Sequence, residues 1–120
     1  MAALETFFSA WSETDAAVRT AKITQAMGPE ATYSDPRSGG RLSGIEAIAE
    51  YVGMFSANAP GWTAEVVRSD EVNGYARAVV KFGGMGPDGQ EMAQHGTYFA
   101  DLADTQITSL AGFVGETPSD

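Results

Sequence analysis

The hydrophobic period of this 120-residue chain switches at Pro60-Gly61, and that switch constrains the fold more than any single motif. Leu4, Phe7, Phe8 and Trp11 fall at i, i+3, i+4 and i+7, one face of a short amphipathic helix. Beyond Pro60 the period is two. Residues 62–72 and 75–82 alternate around Asn73-Gly74, a dipeptide that favours the tight turn of a β-hairpin. A glycine-rich turn, 83–89, leads to a third strand over 91–102, and Ala103-Asp104-Thr105 to a fourth over 107–114. Helices first and strands last predict an α+β domain: three N-terminal helices with a curved, mainly antiparallel sheet wrapped over them.

The first half carries its own punctuation. Residues 12–15, Ser12 to Asp15, offer caps for a second helix that begins near Asp15 and runs to Met27, with Val18, Ile23 and Met27 inward. Gly28-Pro29 is expected to stop it through a left-handed glycine. Residues 31–35 read as a short strand ending in Asp35-Pro36. Ser43 and Glu46 have the spacing of a capping box, which starts a third helix at Gly44 that ends near Asn58. Its apolar face is Ile45, Ile48, Ala49, Val52 and Phe55.

The phase of each strand decides what faces the interior. Ala76, Ala78, Val80 and Phe82 form the apolar phase of the second long strand. In the third, Ala93, His95, Thr97, Phe99 and Asp101 are assigned inward and Gln94, Gly96, Tyr98 and Ala100 outward. A slip of one residue exchanges the two sets.

Composition narrows the function classes. The apolar share of 43% suits one globular domain over 1–115, followed by a flexible tail, 116–120. The absence of cysteine removes disulfides, thiolate ligands and thiol catalysis. A net charge of −9 disfavours nucleic acid and anionic membranes as partners. No apolar run approaches the roughly 20 residues of a membrane span, and Met-Ala-Ala-Leu-Glu lacks the features of a signal peptide, so a cytoplasmic location is expected. A single histidine gives no metal-ligand spacing, and the 83–86 glycines precede a strand rather than a helix, so neither metal nor phosphate binding is indicated.

One acid stands out. Asp35 sits where a strand stops, among residues able to close an apolar pocket: Tyr33, Tyr51, Phe55, Trp62 and His95. A carboxyl group held among aromatic rings is suited to proton transfer. The same Asp-Pro step also suits an Asx-type turn in which the side chain bonds its own backbone. His95 has three readings: a hydrogen-bonded core residue, a ligand contact, or an acid/base partner of Asp35. Trp11, Tyr33, Tyr51, Phe55, Trp62, Phe82, Thr97, Phe99 and Phe113 are the candidate ligand-binding residues.

The order of elements, the stretch Ala31-Thr32-Tyr33-Ser34-Asp35-Pro36 with Ser43-Gly44-Ile45-Glu46-Ala47-Ile48, and the closing Ile107-Thr108-Ser109-Leu110-Ala111-Gly112-Phe113 resemble the nuclear transport factor 2-like superfamily, with a cystatin-like fold. Within it the chain is most similar to SnoaL-like polyketide cyclases and ketosteroid isomerases, which implies three N-terminal helices packed in a strongly curved, mainly antiparallel sheet that forms a cone. The resemblance implies that Asp35 occupies the isomerases' general-base position. Their first-helix tyrosine falls near Phe7, and their second oxyanion donor near Thr97. The cyclases' histidine corresponds to His95, with Asp101 the nearest acid of its phase. Homodimers are common in this superfamily, which implies pairing through the outer sheet face (Glu65, Val67, Arg77, Val79, Lys81, Gln94, Tyr98).

Three functions follow as expectations. The first is a cofactor-free isomerase or cyclase of a small apolar carbonyl compound, with Asp35 as base and His95 or Tyr33 at the enolate oxygen. The second is a non-catalytic binder of the same kind of ligand, and the third a dimeric assembly module.

Overall fold

The computed structural model describes residues 2–115, so the expected tail lies outside the described residues. The order is α1 (Ala2–Ser9), a 3-10 turn (Ala10–Ser12), α2 (Ala16–Ala26), β1 (Met27–Ser34), β2 (Leu42–Ser43), α3 (Ile45–Asn58), β3 (Thr63–Val72), β4 (Tyr75–Met85), β5 (Glu91–Ala103) and β6 (Gln106–Val114). The strands form one six-stranded sheet, β2-β1-β6-β5-β4-β3. The sheet is mixed, curled and unclosed. Its β3 to β6 part is an antiparallel meander, while β1 lies parallel to β6. The α+β architecture expected from the period switch is the one found.

Local chemistry explains most boundaries. Asp15 caps α2, its carboxylate accepting from the N–H groups of Ala17 and Val18. Asn73 and Gly74 both take positive φ (52° and 85°), as a tight β3–β4 hairpin requires. Gly44, at φ 87°, turns the chain from β2 into α3, a conformation that a side chain at this position would strain.

Several details depart from the sequence reading. The capping box does not form. Ser43 pairs with Thr32 in the short β1–β2 ladder, and Gly44 precedes α3 without a side-chain cap. Helix α2 ends one residue early at Ala26, and Gly28 is not left-handed, because the chain passes straight into β1 at extended Met27. Val18 is exposed, since α2 turns its inward face through Ile23 and Ala26.

The core fills the concave side of the sheet. Leu4, Phe7 and Phe8 of α1, Ile23 of α2, Ile48 and Val52 of α3, Val80 of β4, and Ile107 and Leu110 of β6 are fully buried. At roughly 2 kcal/mol for each large apolar side chain removed from water, such a cluster dominates the folding energy. The β4 phase is as expected: Ala76, Ala78 and Val80 are buried. The β5 phase is reversed. Ladder partners share a face, and Ala78 pairs with Tyr98, Val80 with Gly96 and Ala76 with Ala100. The inward set is therefore Gln94, Gly96, Tyr98 and Ala100, and the set of Thr97, Phe99 and Asp101 points away from the helices.

Candidate active site

One end of the packed helices stops short of the sheet and leaves an open hollow of about 910 Å³. Trp11 comes from the 3-10 turn, Tyr51 and Phe55 from α3, Phe82 from β4 and Tyr98 from β5. Trp62 stands at the mouth, its indole N–H donating to the Met85 carbonyl at 3.1 Å. Asp35 and Arg37, from the loop after β1, supply charge at the wall.

Around Asp35 the side chains form a proton-counted network. The Tyr33 hydroxyl donates to Asp35 Oδ2 at 2.7 Å. The Tyr51 hydroxyl reaches both carboxylate oxygens, at 2.7 and 2.8 Å. The Arg37 backbone N–H donates to Oδ1 at 2.8 Å, which makes the Asx-type turn. The Tyr33 and Tyr98 hydroxyl oxygens lie 3.0 Å apart. A phenol has one proton to give, and Tyr33 gives its proton to Asp35, so Tyr98 donates to Tyr33. Ser38 holds the loop: its hydroxyl accepts from the Asp35 N–H and has the Gly40 carbonyl at 2.6 Å and the Asp35 carbonyl at 3.0 Å as acceptors for its one proton. Among the described residues no basic side chain forms an ion pair with Asp35.

The phenols are hard to ionise. Burial, reinforced by the charge of Asp35, pushes Tyr33 well above the ordinary tyrosine value. Tyr51 is raised by burial and then by its hydrogen bond to Asp35, and Tyr98 chiefly by burial. Removal from water disfavours the phenolate, and a neighbouring carboxylate adds to the cost. The Trp11 indole N–H, in the hollow's wall, is buried without a hydrogen-bond partner.

The structure sorts the sequence candidates. Trp11, Tyr51, Phe55, Trp62 and Phe82 line the hollow with Asp35. Tyr33 lies behind the wall, fully buried, and touches the site through its hydroxyl. Thr97 and Phe99 are corrected to the outer face. Thr97 borders a shallow outer depression and donates to the Gly115 carbonyl, and Phe99 is exposed against the ring of Phe113. His95 and Phe113 reach the rim of the hollow but belong to that same outer phase, and His95 has no hydrogen bond to Asp35. Asp101 is exposed on the outer face too. Sequence reasoning missed Tyr98. The available signal was small residues on its own face, Gly96 and Ala100, which leave room for one large ring.

The model of the SnoaL-like domain matches residues 4–110. The chain belongs to the SnoaL-like family. Solved structures agree on this SnoaL-like fold. A candidate isomerase of the SnoaL-like family from Agrobacterium tumefaciens is 23% identical, with 96% of each chain covered and a TM-score of 0.80. An NTF2-like protein of unknown function from an Exiguobacterium species is 23% identical, with 96% of this chain and 99% of that chain covered and a TM-score of 0.73. A candidate SnoaL-like polyketide cyclase from a Jannaschia species is 17% identical, with 92% and 83% covered and a TM-score of 0.71. No curated protein matches the chain.

Proposed function

We propose that this SnoaL-like protein is a cofactor-free acid/base enzyme that isomerises or cyclises a small, largely apolar carbonyl compound, with Asp35 as the base. The observation that carries the reading is a carboxylate at the wall of an aromatic hollow, without a basic partner among the described residues, bonded to two phenols, Tyr33 and Tyr51, and through Tyr33 to Tyr98. Proton removal next to a carbonyl needs a base at the carbon and a donor at the oxygen. Tyr51 shares one proton between both oxygens of Asp35 and faces the hollow, so an entering substrate displaces Tyr51 rather than buried Tyr33. The freed carboxylate oxygen then meets the carbon acid, and the Tyr51 hydroxyl turns to the developing enolate. His95 and Tyr33, the donors expected from sequence, are less suited. One belongs to the outer strand phase and the other spends its proton on Asp35.

The Asx-type turn favours a second reading, in which Asp35 is structural and the hollow only binds. Turnover separates the two. On a panel of β,γ-unsaturated ketones and linear polyketones, Asp35→Asn is expected to lower kcat by about 100-fold or more, the scale of general-base catalysis. Ligand binding, read by Trp11 and Trp62 fluorescence, should survive in the variant. Equal turnover by both proteins removes the base role. A homodimer through the outer sheet face belongs to the same proposal, with its apolar patch redrawn around Phe99 and Phe113 instead of Gln94 and Tyr98.

A further inference from the structure

We propose that Tyr98, Tyr33 and Asp35 form a reversible hydrogen-bond wire whose direction is set by the protonation of Asp35, so that the hollow presents Tyr98 as an acceptor in one state and as a donor in the other. The inference rests on the hollow being a ligand pocket, but not on Asp35 taking a proton from carbon.

The argument is a count of protons. With Asp35 ionised, every phenolic proton points toward the carboxylate: Tyr98 to Tyr33, Tyr33 to Oδ2, Tyr51 to both oxygens. Tyr98, which is buried and belongs to the lining of the hollow, then has no proton left for a ligand and can offer one only its oxygen lone pairs. A ligand oxygen beside it must bring its own proton, as an alcohol or enol does and a ketone does not. Let Asp35 gain one proton on Oδ2. That O–H now donates to the Tyr33 oxygen, and Tyr33 must turn its proton elsewhere. Among the described residues its other hydrogen-bond partner is the Tyr98 oxygen, 3.0 Å away. Tyr98 in turn points its proton into the hollow. Each hydroxyl rotates about its C–O bond, no covalent bond breaks, and no proton is lost or gained beyond the one Asp35 took up. A proton received at Asp35 is thereby reported as a donor at Tyr98, across two hydrogen bonds.

Chemically, this matches donor supply to need. A donor for a carbonyl or enolate oxygen is available when the base is loaded, and it is withdrawn when the base is free. The ligand class is an oxygen-bearing ring compound that alternates between keto and enol forms. Other titratable or charged groups around the wire are Tyr51 from α3, Arg37 from the loop and His95 at the rim of β5; the 3-10 turn, β4 and β6 bring only Trp11, Phe82, and Phe113 with Val114. None of these interrupts the chain between Asp35 and Tyr98.

The test uses 2-decalone, an acceptor only, and 2-decalol, which can donate. While Asp35 is ionised in the free protein, wild-type affinity for the ketone should rise by close to tenfold for each unit the pH falls, because its binding takes up one proton. The alcohol should show no such rise. Asp35→Asn places an amide donor against Tyr33, so ketone binding should become independent of pH. Tyr33→Phe cuts the wire and should abolish the ketone's pH dependence with Asp35 intact. If Tyr33→Phe fails to fold, Tyr98→Phe serves, and the two ligands should then respond to pH alike. Parallel pH curves for ketone and alcohol in the wild type overturn the wire, as does a ketone dependence that persists in Tyr33→Phe. If neither ligand binds, the pocket reading falls and the wire is read in the empty protein from tyrosine labelled with ¹³C at Cζ. The Tyr98 signal should follow the Asp35 titration in the wild type and not in Tyr33→Phe; a signal that ignores Asp35, or follows it equally in both, overturns the inference.

Discussion

Tyr33 shows how much one phenol can decide. It is fully buried, packs on Phe7 and Trp11, and joins Asp35 to Tyr98. Both Tyr33 and Tyr98 are raised above the reference value of 10.0, which fixes the sign of an alkaline effect. Their contribution to stability is complete below pH 10. It is lost as pH climbs from there toward the raised folded values, because the unfolded phenols ionise while the folded ones hold their protons. With these two protons retained, and that of the likewise raised but less buried Tyr51, unfolding free energy should fall by roughly 3–4 kcal/mol per pH unit in that window. Urea unfolding at pH 9, 10 and 11 measures the slope, and Tyr33→Phe should reduce it by about a third. A slope unchanged in the variant contradicts the assignment. At this scale the sequence was half legible. Asp35 was found because an acid after a strand and before proline has few roles. Its phenolic partners Tyr33 and Tyr51 were nearby candidates. Tyr98 was assigned outward because alternation alone does not say which phase of a strand is inside.

Among the elements, β5 illustrates that ambiguity. Both of its phases contain aromatic and polar residues, His95, Thr97 and Phe99 on one side and Gln94, Gly96 and Tyr98 on the other. The choice is made by its neighbours: Ala78 of β4 and Gly112 of β6 flank Tyr98 in the ladder. A Cβ built on Gly112 would strike the Tyr98 ring. Gly112→Ala should therefore cost about 1–3 kcal/mol through overpacking and displace the hydroxyl that ends the wire. Gly28→Ala has ordinary room beside the Ile107 carbonyl and serves as the control. Chemical denaturation compares them; equal stability of the two variants would show that the ring yields freely. The helix starts were legible where a side chain makes the cap, as at Asp15, whose replacement by alanine should cost about 1 kcal/mol. They were misread where a glycine's backbone does the work, as at Gly44.

For the molecule as a whole, the period switch at Pro60 was enough to give the α+β division and the four-stranded meander. The parallel contact of β1 with β6 was not legible, since nothing in either strand names a partner that far along the chain. The proposed dimer is argued at this scale. Phe99 and Phe113 are 47% and 58% exposed and meet edge to face on the outer sheet, where a lone monomer leaves both wet. Sedimentation should show a dimer that Phe99→Glu converts to monomer with the hollow's ligand binding retained. A wild-type monomer at all concentrations removes the proposal.

The placement of β1 between β2 and β6 also governs the order of events during synthesis. Apart from the two-residue β2, the strand that delivers Tyr33 and Asp35 has only β6 as a sheet neighbour, and β6 leaves the ribosome after every other described element. Asp35 thus has its loop early but its seat last. A nascent chain stalled before Gln106 holds the helices, β1 and the hairpins without the seam that joins them.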